Sequence, residues 1–95
     1  TTPEGLFLAQ NYPNPFNPST RIAYHLPEGN QVTLTIYDLV GKEIKTLVNG
    51  FQGAGDYTVQ WDGTDNQGQV VGSGIYFYQL HFGNHRFIRK MMYIK

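Results

Sequence analysis

The chain contains no cysteine. That excludes a disulfide scaffold, a zinc ribbon and thiol catalysis, although it does not assign a reducing compartment, because exported domains also dispense with cysteine. Net charge is lacking too. Seven basic residues balance seven acidic ones, so nothing draws the chain as a whole to nucleic acid or to anionic lipid. No apolar run approaches the ~20 residues of a membrane helix, so membrane insertion is not expected. No stretch sustains helical periodicity over the roughly 11 residues that would identify a helix. The opening Thr1-Thr-Pro-Glu-Gly5 has neither an initiator methionine nor a signal peptide, and reads as the start of a fragment, the C-terminal piece of a larger polypeptide.

What is present is aromatic and β-branched. One Trp, seven Tyr and six Phe stand in 95 residues, enough to fill one core without metals or disulfides. Period-2 segments recur with turn signals between them. Leu6–Gln10 reads as a short first strand. Asn11-Tyr-Pro-Asn-Pro-Phe-Asn-Pro-Ser-Thr20 reads as an extended crossover outside any ladder, since each proline fixes φ and removes a donor. Tyr12 and Phe16 are expected to plug it onto the core.

Arg21–Leu26 alternates, with Ile22, Tyr24 and Leu26 inward. Gln31–Asp38 follows with Val32, Leu34 and Ile36 inward. Asp38–Lys42 suits a hairpin whose Gly41 supplies a positive φ. Glu43–Val48 answers it with Ile44 and Val48 inside, and the glycines of Asn49–Gly55 read as a loop. Asp56–Trp61 directs Tyr57, Val59 and Trp61 inward, and Asp62–Gly68 is a polar loop.

Gly72–Lys95 holds the two longest strands, broken at Phe82-Gly83-Asn84. Both carry apolar side chains on both faces. Tyr76, Tyr78, Leu80 and Phe82 oppose Ile75 and Phe77; Phe87, Met91 and Tyr93 oppose Ile88, Met92 and Ile94. About seven strands at this spacing, with one face each to bury, predict an all-β fold, a two-sheet antiparallel β-sandwich forming a single domain.

Taken in order, these stretches resemble the type A C-terminal sorting domain of the type IX (Por) secretion system, and the related immunoglobulin-like domain of flagellar hook-capping proteins. The resemblance is carried by Asn11–Thr20, by Val32-Thr-Leu-Thr-Ile-Tyr-Asp-Leu-Val-Gly41-Lys-Glu, and by Gly53–Asp56 leading into Trp61-Asp-Gly63. Ser73-Gly-Ile-Tyr-Phe-Tyr-Gln-Leu80 and Arg89-Lys-Met-Met-Tyr-Ile-Lys95 complete it. The short Gly83-Asn84-His85 turn departs from the more acidic or glycine-rich one expected there.

The resemblance implies a secretion signal at the C-terminus of a periplasmic cargo protein. The partners it implies are an outer-membrane translocon, a surface sortase and an N-terminally fused cargo, and the destination is the cell surface or the medium. It places recognition on Gly74, Tyr76, Leu80, Lys90 and Lys95. Cleavage is expected near Thr1–Gly5, a linker remnant, or upstream of it. A hook-cap-like assembly or spacer domain is the alternative, with a carbohydrate-binding module behind it.

Other chemistry is thin. No catalytic residues and no cofactor are expected: Ser19 and Ser73 have no histidine near them in sequence, and the carboxylates sit in turns. His81 and His85 flank the last turn and could face each other, but a metal site would need a third ligand and His25 lies on a distant strand. Asp62, Asp65 and Asn66 form a weak calcium candidate whose spacing departs from the EF-hand; Asx turns explain the same residues. Trp61 and Tyr57 could offer a sugar platform, but their inward parity favours core packing. Arg86, Arg89, Lys90 and Lys95 gather a basic patch, read either as a site for lipopolysaccharide or acidic receptor loops or as protection of an edge strand.

Overall fold

The computed structural model describes residues 4–95, so most of the expected linker, residues 1–3, lies outside the described residues. Glu4 and Gly5 form an exposed turn. Seven strands follow: β1 (Phe7–Leu8), β2 (Thr20–Leu26), β3 (Asn30–Tyr37), β4 (Glu43–Gln52), β5 (Gly55–Trp61), β6 (Gly74–Phe82) and β7 (His85–Tyr93). They form two antiparallel sheets, ordered β1-β2-β5 and β4-β3-β6-β7.

Period-2 patterning explains how the layers stack. Ile22, Tyr24 and Leu26 of β2 meet Val32, Leu34 and Ile36 of β3 and Tyr78, Leu80 and Phe82 of β6 in one buried cluster. Gly41 takes φ +86 in the β3–β4 connection, as its place in that turn demands. Gly83 and Asn84 form the two-residue turn between β6 and β7.

Three expectations need correction. First, β1 is only two residues long: Ala9 still donates its N–H to Ala23 O, but its carbonyl turns to the Tyr78 hydroxyl, and the chain meets β2 again only where Tyr12 pairs with Arg21. Second, β4 runs on through Gln52, so only Gly53 and Ala54 remain of the loop expected over Asn49–Gly55. Gly50 and its neighbours continue the ladder with β3, two register shifts in which take up the slack between unequal strands. Ile44 and Val48 are consequently half-buried rather than fully inside. Third, Tyr12 does not plug the core; it stands 71% exposed.

Of the crossover's two aromatic residues, Phe16 is the one that anchors it in the core. It is 1% exposed and stacks on Tyr93 at a centroid separation of 4.7 Å and an interplanar angle of 15°. Trp61 lies tilted beside it at 5.4 Å and meets the edge of Tyr76 at 5.4 Å. This quartet joins the crossover, β5, β6 and β7 at one end of the sandwich. Gly63 completes the packing: with φ +77, any Cβ there would lie 2.9 Å from Tyr93 Cζ.

The two aromatic residues of the crossover should therefore part company under mutation. Phe16→Ala should cost about 3–5 kcal/mol in urea unfolding, the usual range for emptying a buried aromatic site. Tyr12→Ala should change stability by less than about 0.5 kcal/mol.

Candidate functional site

The terminal hairpin sets the edge of the larger sheet, and its two strands differ in exposure. β6 lies between β3 and β7, which puts Tyr76, Tyr78, Leu80 and Phe82 in the core and leaves Ile75 and Phe77 half-buried on the outer face. On β7, Met91 and Tyr93 are buried and Phe87 is partly so, whereas Ile88 (57%), Met92 (41%) and Ile94 (48%) are exposed.

Among the described residues β7 has no neighbouring strand on its far side, and an edge strand's unpaired amides are a template for pairing. The crossover covers one end of that edge. Met92 N–H donates to Asn14 Oδ1 at 2.9 Å, Phe16 N–H donates to Met92 O at 3.0 Å, and Ile94 N–H donates to Phe16 O at 3.1 Å. One step back, Gln10 Nε2 donates to Lys90 O at 2.7 Å. Arg89 Nε reaches Leu8 O, also at 2.7 Å, and so ties β7 to the edge of the smaller sheet.

A polar knot holds the crossover's start. The Tyr78 hydroxyl donates to Ala9 O at 2.7 Å and accepts Asn11 N–H at 2.8 Å. The buried Asn11 side chain donates to Thr20 Oγ1 at 3.0 Å and to Pro13 O at 3.1 Å. Burial pushes the Tyr78 hydroxyl up to about 12, against the opposing pull of the Asn11 hydrogen bond and of Arg89. Asn11 and Asn14 hold the crossover in place by hydrogen bonds that sequence reasoning left unassigned. Their signal was an Asn-rich motif whose prolines leave backbone groups in need of side-chain partners.

The residues expected to carry recognition divide by depth. Tyr76 and Leu80 are core residues, and the Tyr76 hydroxyl donates to Gly72 O at 2.7 Å. Gly74 is half-buried where β6 begins. Only Lys90 and Lys95 are exposed, and Lys95 N–H is held by Ser73 Oγ at 2.9 Å.

The remaining candidates are occupied otherwise. Asp62 Oδ1 accepts from Thr64 N–H at 3.2 Å and from Thr64 Oγ1 at 2.5 Å, and the Thr64 hydroxyl holds its carboxyl below the usual range. Asp65 Oδ1 accepts from the N–H groups of Gln67 and Gln69, both at 2.9 Å. Asn66 bridges Thr46 N–H and Glu43 Oε2, and Lys45 Nζ lies 3.3 Å from Asp65 O. These are Asx-turn bonds, with an ammonium already among the loop oxygens.

His81 and His85 do not face each other: they pair with Arg86 and Phe82, and so lie on opposite faces of the hairpin. His25 contacts Asp56 at 2.6 Å on the other sheet. Ser19 Oγ accepts from Gln60 Nε2. Trp61, 1% exposed, donates Nε1–H to Thr64 O, and Tyr57 stacks on Tyr24, so this strand offers no aromatic row to a sugar.

Residues 16–83 match the family described as the FlgD Ig-like domain. The chain belongs to that family. Solved structures agree in fold. Dimeric latent PorU from Porphyromonas gingivalis aligns with 94% of this chain at a TM-score of 0.70 and 21% identity. PorZ, from the same organism and described as an essential surface component of the type IX secretion system, aligns with 97% at 0.62 and 18%. FlgD of Xanthomonas campestris, described in connection with hook capping, aligns with 92% at 0.63 and 22%. The chain spans 9% of PorU, 12% of PorZ and 64% of that FlgD. No curated protein matches the sequence.

The polar knot makes a prediction of its own. Tyr78→Phe leaves the buried Asn11 N–H and the part-buried Ala9 C=O without their partner, and should cost about 1–3 kcal/mol near neutral pH. Because the folded-state value of this hydroxyl is raised above the ordinary 10.0, its contribution is complete below pH 10 and lost as pH rises through about 12. Chemical denaturation across that window should show a smaller alkaline loss in Tyr78→Phe than in the parent. Part of the loss remains in the variant, since burial raises Tyr24 and Tyr76 as well.

Proposed function

We infer that this chain is a non-catalytic sorting module that directs an N-terminally fused cargo through an outer-membrane type IX translocon, by way of the periplasm, to the cell surface or medium. The observation that carries the reading is the fold it shares, over more than nine-tenths of its length, with PorU and PorZ. The terminal hairpin supports it. Four of the chain's cations, Arg86, Arg89, Lys90 and Lys95, stand in its last ten residues, and no acidic residue follows Asp65. A translocon therefore meets an edge strand with a single sign of charge. Of the five residues the resemblance nominates, Lys90 and Lys95 are the pair that a receptor reaches while the domain stays folded. Gly74, Tyr76 and Leu80 act by building the hairpin that presents them.

A second reading is an assembly or spacer domain of the hook-cap kind, favoured by the family match and by the likeness to FlgD of Xanthomonas campestris. The two differ in what the domain does for a passenger.

Fusing Thr1–Lys95 behind a periplasmic reporter in a type IX-competent cell should bring the reporter to the surface or the medium. Lys90→Ala combined with Lys95→Ala should reduce that export while leaving the melting temperature within a few degrees of the parent. Deleting β6 and β7 outright is uninformative, because β6 sits inside the larger sheet. A reporter that stays periplasmic with the intact domain fused contradicts the sorting role and favours the assembly role.

A further inference from the structure

The pairing of β7 with β6 is regular from Phe82↔His85 to Gly74↔Tyr93, so its backbone groups alternate between facing β6 and facing away. Met92 and Ile94 bond the crossover, which fixes the even-numbered residues as outward-facing. By the same alternation, the N–H and C=O of Arg86 and Ile88 and the N–H of Lys90 also face out. Among the described residues nothing bonds them. Beside them runs an open groove of about 340 Å³, lined by Leu6, Phe7, Leu8, Phe87, Ile88 and Arg89, between the edges of the two sheets. Two of its lining residues, Arg89 and Leu8, are hydrogen-bonded to each other.

We propose that Arg86–Lys90 is a docking edge for an extended, acidic peptide strand of another protein. The strand adds to the larger sheet by backbone hydrogen bonding. Its alternate side chains divide between the groove and the outer face, where Arg86 and Lys90 stand. Charge selects this occupant. A second copy of the chain, paired antiparallel about Ile88, would set Arg86 against Lys90 twice, and like charges directly opposite are destabilising. An acidic strand turns the same positions into attraction. With no acidic side chain anywhere in Asn66–Lys95, the hairpin's own side chains offer nothing to neutralise them. The crossover shows the same chemistry on β7's other half, where Asn14 and Phe16 already occupy Met92 and Ile94. The edge is the same whichever protein carries the domain, so the proposal stands apart from the export reading.

The probe is a capped heptapeptide, Thr-Glu-Val-Glu-Val-Glu-Thr, titrated into the isotopically labelled 95-residue chain. Amide shifts should move at Arg86, Ile88 and Lys90 and at Phe7, and the affinity should fall with added salt. Alternate N-methylation of the peptide, which keeps its charge and removes its edge donors, should abolish binding. The double variant Arg86→Glu/Lys90→Glu should weaken binding at least tenfold and should instead bind the Lys-for-Glu peptide. That exchange shows at once that the variant is folded. Equal binding of the N-methylated peptide, shifts confined to another surface, or failure of the charge exchange would each overturn the proposal. So would phosphatidylglycerol vesicles perturbing this edge while the peptide leaves it unchanged.

Discussion

Phe16 on Tyr93 is the contact on which the rest of the sandwich depends. It is one ring stacked on another, worth about 0.5–1.5 kcal/mol beyond its buried area. Its position gives it wider consequences. Tyr93 is the last residue of β7, Trp61 the last of β5, and Tyr76 stands near the start of β6. With Phe16 between them, three strand ends from two sheets share one aromatic cluster. The same residue's backbone exchanges hydrogen bonds with Met92 and Ile94. A segment whose prolines bar it from a regular ladder thus closes the core at one end and covers part of a sheet edge.

That closure divides the edge. Around Met92 the chain supplies its own partner, through Asn14 and Phe16. Around Ile88 it supplies none among the described residues, and sets cations there instead. Cations on an edge strand discourage pairing with a copy of the same chain. They leave the edge open to a partner of opposite charge, so guarding and recognition need not compete. In the sorting role proposed above, the buried aromatic residues of β6 build the edge that the exposed lysines mark.

Most of the sandwich was legible from alternation. Ile22, Tyr24 and Leu26, Val32, Leu34 and Ile36, and Tyr78 through Phe82 fall where period 2 puts them. The failures have physical causes. Glycine at 50 looked like a loop signal, but Gly50 lies in a ladder with β3 that sequence-local reasoning does not see. Tyr12 and Phe16 are chemically alike and four residues apart, yet only the ring that meets Tyr93 and Trp61 is buried, because long-range contact decides it. The hairpin's doubly apolar character was visible in sequence. That Met91 and Tyr93 lie inside while Ile88 and Met92 lie outside follows from the register with β6, which sets Met91 beside the buried Tyr76 and Ile88 beside Gln79. Asn11 carries a buried polar knot that no spacing rule announces, since its partners Tyr78 and Thr20 come from two different sheets.

Amide hydrogen exchange along β7, followed residue by residue in the full chain, tests most directly whether the crossover closes half of the edge and leaves the other half open. The account predicts strong protection at Met92 and Ile94 and fast exchange at Arg86, Ile88 and Lys90, with Phe16→Ala removing the protection of the first pair while the central amides of β6 keep theirs. Exchange at Met92 and Ile94 as fast as at Ile88 in the unmutated chain would contradict it.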